Sequence, residues 1–279
     1  MRVLAYSLND LAGKGIADFL RGELRVKEVH IKGTARAYVV DELDAVLAGF
    51  EDDVIYFDFL DDVFSDAELY VVLSRHSATS GVKSLTTHHT GNPLGSAVAG
   101  GRPYELSVSN PPLAKMFLAL LRGFRDEYGL TEFSVTYEVT HHGPTNLRRP
   151  LTFIEIGSTE VEWSMKKAHE VVGMAVIQAL KGFKGCSCVP TVGFGGPHYA
   201  TPFTERALKS GECYGHIISR YALRDLKRDR GLLARVVRDS IVKSSVKTRK
   251  AVVLRKAGRV VRDVVTEVAG EYGVEVEVM

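Results

Sequence analysis

The sequence has only three cysteines (Cys186, Cys188 and Cys213) in 279 residues, and one tryptophan. So few cysteines, in an odd number, cannot build a disulfide framework, and the usage fits a reducing compartment. No Pro- or Ser-rich linker, low-complexity tract or internal repeat divides the chain. No apolar run approaches the ~20 residues that span a bilayer. The opening residues reach polar Asn9 and Asp10 too early for a signal peptide. These absences exclude secreted scaffolds and membrane helices and point to the cytoplasm. What remains is ordinary for a globular protein, 45% hydrophobic and 25% charged, which excludes fibres and disorder.

The net charge of +2 conceals a strong asymmetry. Residues 206–262 hold 17 Lys and Arg against 4 Asp and Glu, whereas residues 41–68 hold 11 acidic residues and no Lys or Arg. An isolated charge run is usually a solvated helix face. An excess of this size, opposed by an acidic stretch, suits a polyanion that docks in one orientation.

Short β-type runs recur at residues 3–6, 54–57, 69–73, 133–137 and 153–156, with helical periodicity between them. The clearest helix starts at Asn110, an N-cap followed by Pro111, and ends at Gly129. Its Leu113, Met116, Phe117, Leu120, Phe124 and Tyr128 share one face. A second helix is expected from Thr159, with Glu162 at capping-box spacing, to about Lys181, burying Val161, Met165, Ala168, Val172, Ala175 and Ala179. A third spans Arg230 to about Lys243. The alternation predicts an α/β fold, a mixed and mostly parallel sheet covered by helices on both faces, as one domain over residues 1–279.

Histidine placement carries the chemistry. His76, His88-His89, His141-His142 and His198 all fall at strand ends or in Gly/Pro-rich loops, where side chains face a cleft. In an extended pair the two rings point to opposite faces, so one faces the cleft and the other packs. Histidines converging from different strand ends, with a carboxylate, suit Zn²⁺ and an activated water, or a metal-free general base. The spacing is not HExxH. Glu155, between apolar neighbours, is costly to bury unpaired and is either a site carboxylate or the solvent side of an edge strand. Cys186-Ser187-Cys188 reads as small buried residues rather than half a zinc site. The Gly193–Pro197 loop is either a plain turn or a set of N–H donors for an oxyanion or phosphate.

Ser74-Arg-His-Ser-Ala-Thr-Ser80, Leu85 to Pro93, His141-His-Gly-Pro-Thr145, Phe153 to Trp163 and Gly195-Gly-Pro-His-Tyr-Ala200, in this order, resemble the archaeal and plant type of D-aminoacyl-tRNA deacylase. The resemblance runs from the first strand to beyond His198. It implies hydrolysis of the ester joining a D-amino acid to tRNA, zinc dependence, and a core reminiscent of peptidyl-tRNA hydrolases and purine nucleoside phosphorylases. The matching positions are His76, His88, His141, His142, Glu155 and His198. We expect zinc on His88, His141 and His198, with His142, Glu155 and His76 as catalytic groups. Residues 206–262 would then form the tRNA-binding part, through Arg228, Arg235, Arg238, Lys243, Arg249 and Lys250. No G-x-S-x-G elbow appears, so water is the expected nucleophile. Peptidyl-tRNA hydrolysis or another acyl-tRNA esterase, a non-catalytic RNA-binding protein, and a nucleoside phosphorylase remain as alternatives.

Overall fold

A computed structural model describes every residue except Lys184 and Cys186. Its larger sheet has eight strands in the order Lys27–Val29, Arg36–Val40, Ala45–Phe50, Arg2–Ser7, Leu69–Ser77, Leu151–Ser158, Ser84–His88 and Ser134–Tyr137. The four strands from Ala45–Phe50 to Leu151–Ser158 run parallel, and Ser84–His88 is antiparallel to its neighbour Leu151–Ser158. Both faces are buried, as parallel strands require. Along Arg2–Ser7, Leu4 and Tyr6 enter a core beneath helices Leu11–Glu23, Pro111–Glu127 and Lys166–Gly182, while Val3 and Ala5 point to the opposite core with Phe50, Phe57 and Leu60.

A second sheet, not anticipated from the sequence, has four parallel strands in the order Glu212–Ile218, Val189–Phe194, Lys250–Val253 and Glu275–Val278. Helices Arg220–Leu226, Arg230–Val242 and Arg259–Glu271 cover one face through Leu223, Val236, Val237, Val264 and Val265. Helix Pro111–Glu127 serves both sheets. It sends Leu113, Phe117 and Leu121 to the large sheet and Ala114 and Leu118 to the small one. Its start is as expected: the Asn110 side chain accepts from the Leu113 N–H, with Pro111 as the first helical residue.

Three local expectations are corrected. Residues 54–57 are not a strand but part of the 3₁₀ segment Val54–Phe59, capped by the Asp53 side chain, which accepts from the Ile55 N–H. The helix expected from Thr159 forms its capping box with Glu162 but stops at Trp163, and the chain restarts helical at Lys166–Gly182. Val161 lies on that first short piece and is 68% exposed rather than buried. Finally, Cys188 and Cys213 form a disulfide, where reduced thiols were expected. Strand pairing explains it, because Pro190 sits opposite Cys213 and Cys188 is therefore delivered beside it. Ser187 is exposed, and the expectation for Cys186 lies outside the described residues.

A candidate hydrolytic centre at the seam of two sheets

The histidines converge where the two sheets meet. His76 ends strand Leu69–Ser77, and Glu155 lies on the neighbouring strand, with Gly157 opposite His76. That glycine is required, since a Cβ there would come within 2.5 Å of Ser84 Oγ and 3.0 Å of His76 Cδ2. His88 ends strand Ser84–His88 and stacks on Phe153, ring centroids 5.2 Å apart. Residues 138–142 continue strand Ser134–Tyr137 across to the second sheet. The Val139 N–H donates to the His198 carbonyl and the Thr140 N–H to the Ile217 carbonyl. His198 arrives from a loop whose Gly195 and Gly196 have φ of +117° and +87°, a region open chiefly to glycine. The Gly195 N–H donates to the Ile218 carbonyl, so it is not free for an oxyanion.

The centre is Glu138, which the sequence reading did not select. His198 Nε2–H donates to its Oε2 at 2.9 Å, His76 Nδ1 lies 3.1 Å from that oxygen, and His141 Nε2 lies at 3.5 Å. The Glu138 side chain has no exposed surface. A signal was present: a carboxylate between Tyr137 and Val139, three residues before a doubled histidine, meets the desolvation argument applied to Glu155. Glu155 is buried too, accepting from Ser74 Oγ at 2.6 Å and standing 3.7 Å from His76 and 3.6 Å from His88. It is therefore a site carboxylate and not the solvent side of an edge strand.

The two carboxylates are driven apart. Burial pushes Glu138 up, but the hydrogen bonds from His198 and His76 outweigh it and hold its carboxyl well below the usual carboxylate range. Burial raises Glu155 well above that range, and the Glu138 charge raises it further. Their proton affinities are pushed in opposite directions, the pattern of acid–base pairs. Burial, reinforced by neighbouring imidazoles, keeps His88 and His141 well below the ordinary histidine value, and burial lowers His142 to about 4. All three are neutral at physiological pH.

Neutral imidazoles are what a metal needs, and this cluster has the donors. His88 is 1% exposed, and neither of its ring nitrogens has a hydrogen-bond partner; His76 Nε2 and Glu138 Oε1 are also buried and unsatisfied. Such orphans are rare in folded proteins. His141 Nδ1–H donates to the Val139 carbonyl at 2.7 Å, so its Nε2 lone pair faces the Glu138 carboxylate, acceptor to acceptor. A cation between them relieves that conflict. Among the described residues, three groups could hold a metal ion: His88 with His141 and His142, His76 with Glu138 and His198, and His88 with Glu138 and Glu155. Of the expected ligands, His88 and His141 fall in one group and His198 in another.

The cluster floors an open cavity of about 300 Å³. Its wall brings His141, His142, His76, His198 and Glu155 together with residues that the sequence did not mark, Asp10, Asp53 and Arg75. Arg75 pairs with Asp53 at 3.2 Å, and its N–H donates to Asp10 at 2.9 Å. His142 has φ +44°, an uncommon conformation for a non-glycine residue. Its Nδ1–H donates to the Gly143 carbonyl at 2.7 Å.

The residues expected to meet tRNA divide. Lys250 pairs with Glu277 and Glu212, Lys243 donates to the Leu106 carbonyl, and Arg238 lies 3.8 Å from Glu271. Arg228, Arg235 and Arg249 are exposed.

Comparison with known proteins agrees with this geometry over the whole chain. Residues 63–277 match the family model described as D-aminoacyl-tRNA deacylase. A D-aminoacyl-tRNA deacylase of Desulfurococcus amylolyticus is 45% identical over 91% of this chain and 90% of that protein. One of Aeropyrum pernix is 39% identical over 98% of each. A crystal structure described as a conserved protein of unknown function, AF0625, superposes with a TM-score of 0.89 at 33% identity, covering 100% of this chain and 95% of that one. With the match extending over both sheets and the seam between them, the chain belongs to the D-aminoacyl-tRNA deacylase family.

Proposed function

We propose that the chain hydrolyses the ester bond of D-aminoacyl-tRNA, releasing the free D-amino acid and tRNA, in the cytoplasm. The observation that carries this reading is the convergence of Glu138 and Glu155 with His76, His88, His141, His142 and His198 at an open cavity. An ester has a good leaving group, so water needs only modest activation and no covalent nucleophile. Water adds to the carbonyl carbon and gives up a proton; the bond to the ribose oxygen breaks, and that oxygen takes a proton.

His142 is positioned to orient the water. Its Nδ1–H is committed to Gly143, which leaves Nε2 as an acceptor at the cavity wall. Glu138 holds His76 and His198 in place. Glu155, whose burial favours its protonated form, lines the cavity as the proton donor to the departing oxygen. Asp53, on the same wall, offers a carboxylate to the α-ammonium group, and a fixed contact of that kind is what discriminates enantiomers.

We further propose zinc as the metal, on ligands drawn from His88, His141 and His198, with His142 and Glu138 as adjoining donors. The mixed imidazole and carboxylate donor set and the unsatisfied buried nitrogens support it. Zinc at such a site lowers the pKa of bound water to about 7 and polarises a carbonyl.

The test is to incubate the protein with matched D- and L-aminoacyl-tRNA, with and without chelator, and to measure its metal content. Hydrolysis of the D-form well above the L-form, lost on chelation and restored by zinc, is expected. Equal rates on both enantiomers, or cleavage of N-blocked peptidyl-tRNA alone, sinks the deacylase reading. Full activity of the demonstrably metal-free protein sinks the zinc.

A further inference from the structure

Among the described residues, seven of the 17 cations in residues 206–262 are ion-paired within the protein. Arg206 and Lys250 are tied to Glu212 and Glu277, Arg230 to Glu267, and Arg259 to Asp263. Four are different. Arg220, Arg224, Lys227 and Lys256 line one cleft of about 380 Å³ with Gly196, Pro197 and Tyr221. All four are exposed, and among the described residues none of their side chains enters an ion pair or hydrogen bond. Like charges gathered without counter-ions repel one another, and a cleft lined by one sign concentrates its field on an incoming anion.

The cleft adjoins the hydrolytic centre. Pro197 precedes His198, the Arg220 N–H donates to the Gly196 carbonyl at 2.9 Å, and the Tyr221 hydroxyl lies 3.5 Å from His198 Nδ1. Tyr221 is 38% exposed, so an aromatic face stands between the cations and the histidines. Cations that track a backbone, with an aromatic platform for a base, are the means by which single-stranded nucleic acid is bound.

We propose that this cleft binds the single-stranded 3′ end of tRNA, with Arg220, Arg224, Lys227 and Lys256 on its phosphates and Tyr221 against a terminal base. The inference rests on the deacylase reading, because the ester to be cut is on the last ribose. Seating that ester at His142 leaves the preceding phosphates to pass along the neighbouring wall. This is a narrower anchor than Arg228, Arg235 and Arg249, which do not line this cleft.

The experiment uses the full chain with Arg224→Gln and Lys256→Gln together, and Tyr221→Ala separately. Binding of uncharged tRNA is followed by fluorescence anisotropy over a range of salt concentrations. Two lost single-strand phosphate contacts should make the slope of log K against log salt shallower by about 1.4. Tyr221→Ala should weaken binding about tenfold and leave that slope nearly unchanged. An unaltered slope and affinity in the Arg224/Lys256 variant overturns the proposal. So does transfer of the effect to Arg235→Ala with Arg238→Ala. In parallel the wild-type protein is given a 3′-O-D-aminoacyl-adenosine, which has no phosphate. Cleavage of neither this ester nor D-aminoacyl-tRNA sinks the deacylase reading, while the binding slope still decides the cleft.

Discussion

Two buried histidine groups lie side by side in this molecule and are built on opposite principles. His88 faces the centre with both ring nitrogens unsatisfied. Its neighbour His89 turns to the other face, where Nδ1–H donates to the Gly215 carbonyl at 3.1 Å and the ring meets that of His216 at 6.1 Å. His216 is fully provided for: Nε2–H donates to the Ser107 carbonyl at 3.0 Å, and the Thr140 hydroxyl donates to Nδ1 at 3.1 Å. The first group keeps its lone pairs for a metal, a water or a substrate. In the second, both nitrogens of His216 and Nδ1 of His89 are engaged, and His216 joins the second sheet to the segment that carries Glu138, while His89 Nε2 is left buried without a partner. The extremes are His88, with neither ring nitrogen bonded, and His216, with both: identical side chains at similar burial are fitted for chemistry or for support by the hydrogen bonds already made.

The sharpest way to break this comparison is Glu138→Gln. It removes the one charge that the cleft histidines share, and an expected fall in kcat of at least roughly 10²-fold follows from losing that acid–base and electrostatic role. Folding should survive, as circular dichroism and retained tRNA binding would report. A variant with normal kcat would make Glu138 a structural residue like His216. The next test is His216→Ala. Losing two buried hydrogen bonds and leaving a void should cost about 2–4 kcal/mol of stability, read by denaturant unfolding, while the folded enzyme keeps a kcat near wild type. A large loss of kcat at unchanged stability would place His216 in the chemistry instead.

The smallest effect is on acid stability. Burial holds His216 at about 3 and His89 at about 4, below the ordinary value of 6.5. The unfolded chain therefore binds the extra protons first. Their stabilisation is fully present above pH 6.5 and is lost as pH falls from there toward 3. His216→Ala should accordingly flatten the dependence of unfolding free energy on pH across that window, by up to one proton. An unchanged slope would mean that His216 is charged in the folded protein.

The sequence by itself determined those features that local rules decide. Asn110 and Pro111 fixed a helix start, because capping concerns atoms within three residues. Short apolar runs marked three of the four parallel strands of the larger sheet, strand-end and loop placement marked His76, His88, His141, His142 and His198 as candidate site residues, and the resemblance added Glu155. Extended geometry anticipated that His88 and His89 would part. Where a decision needed a distant partner, the sequence was silent or misled. Residues 54–57 read as a strand because four apolar residues suit a strand or a helical turn equally. His141 and His142 both turn to the cleft, ring centroids 4.4 Å apart, because the left-handed φ of His142 breaks the alternation expected of an extended pair. Glu138 became the centre only through His76 and His198, which are 62 and 60 residues away. The basic segment showed its charge in sequence, yet only the fold paired Lys250 and Arg206 with Glu212 and Glu277 and left the cations beside Tyr221 open. Charge is a property of composition, but its neutralisation depends on what the fold sets opposite it.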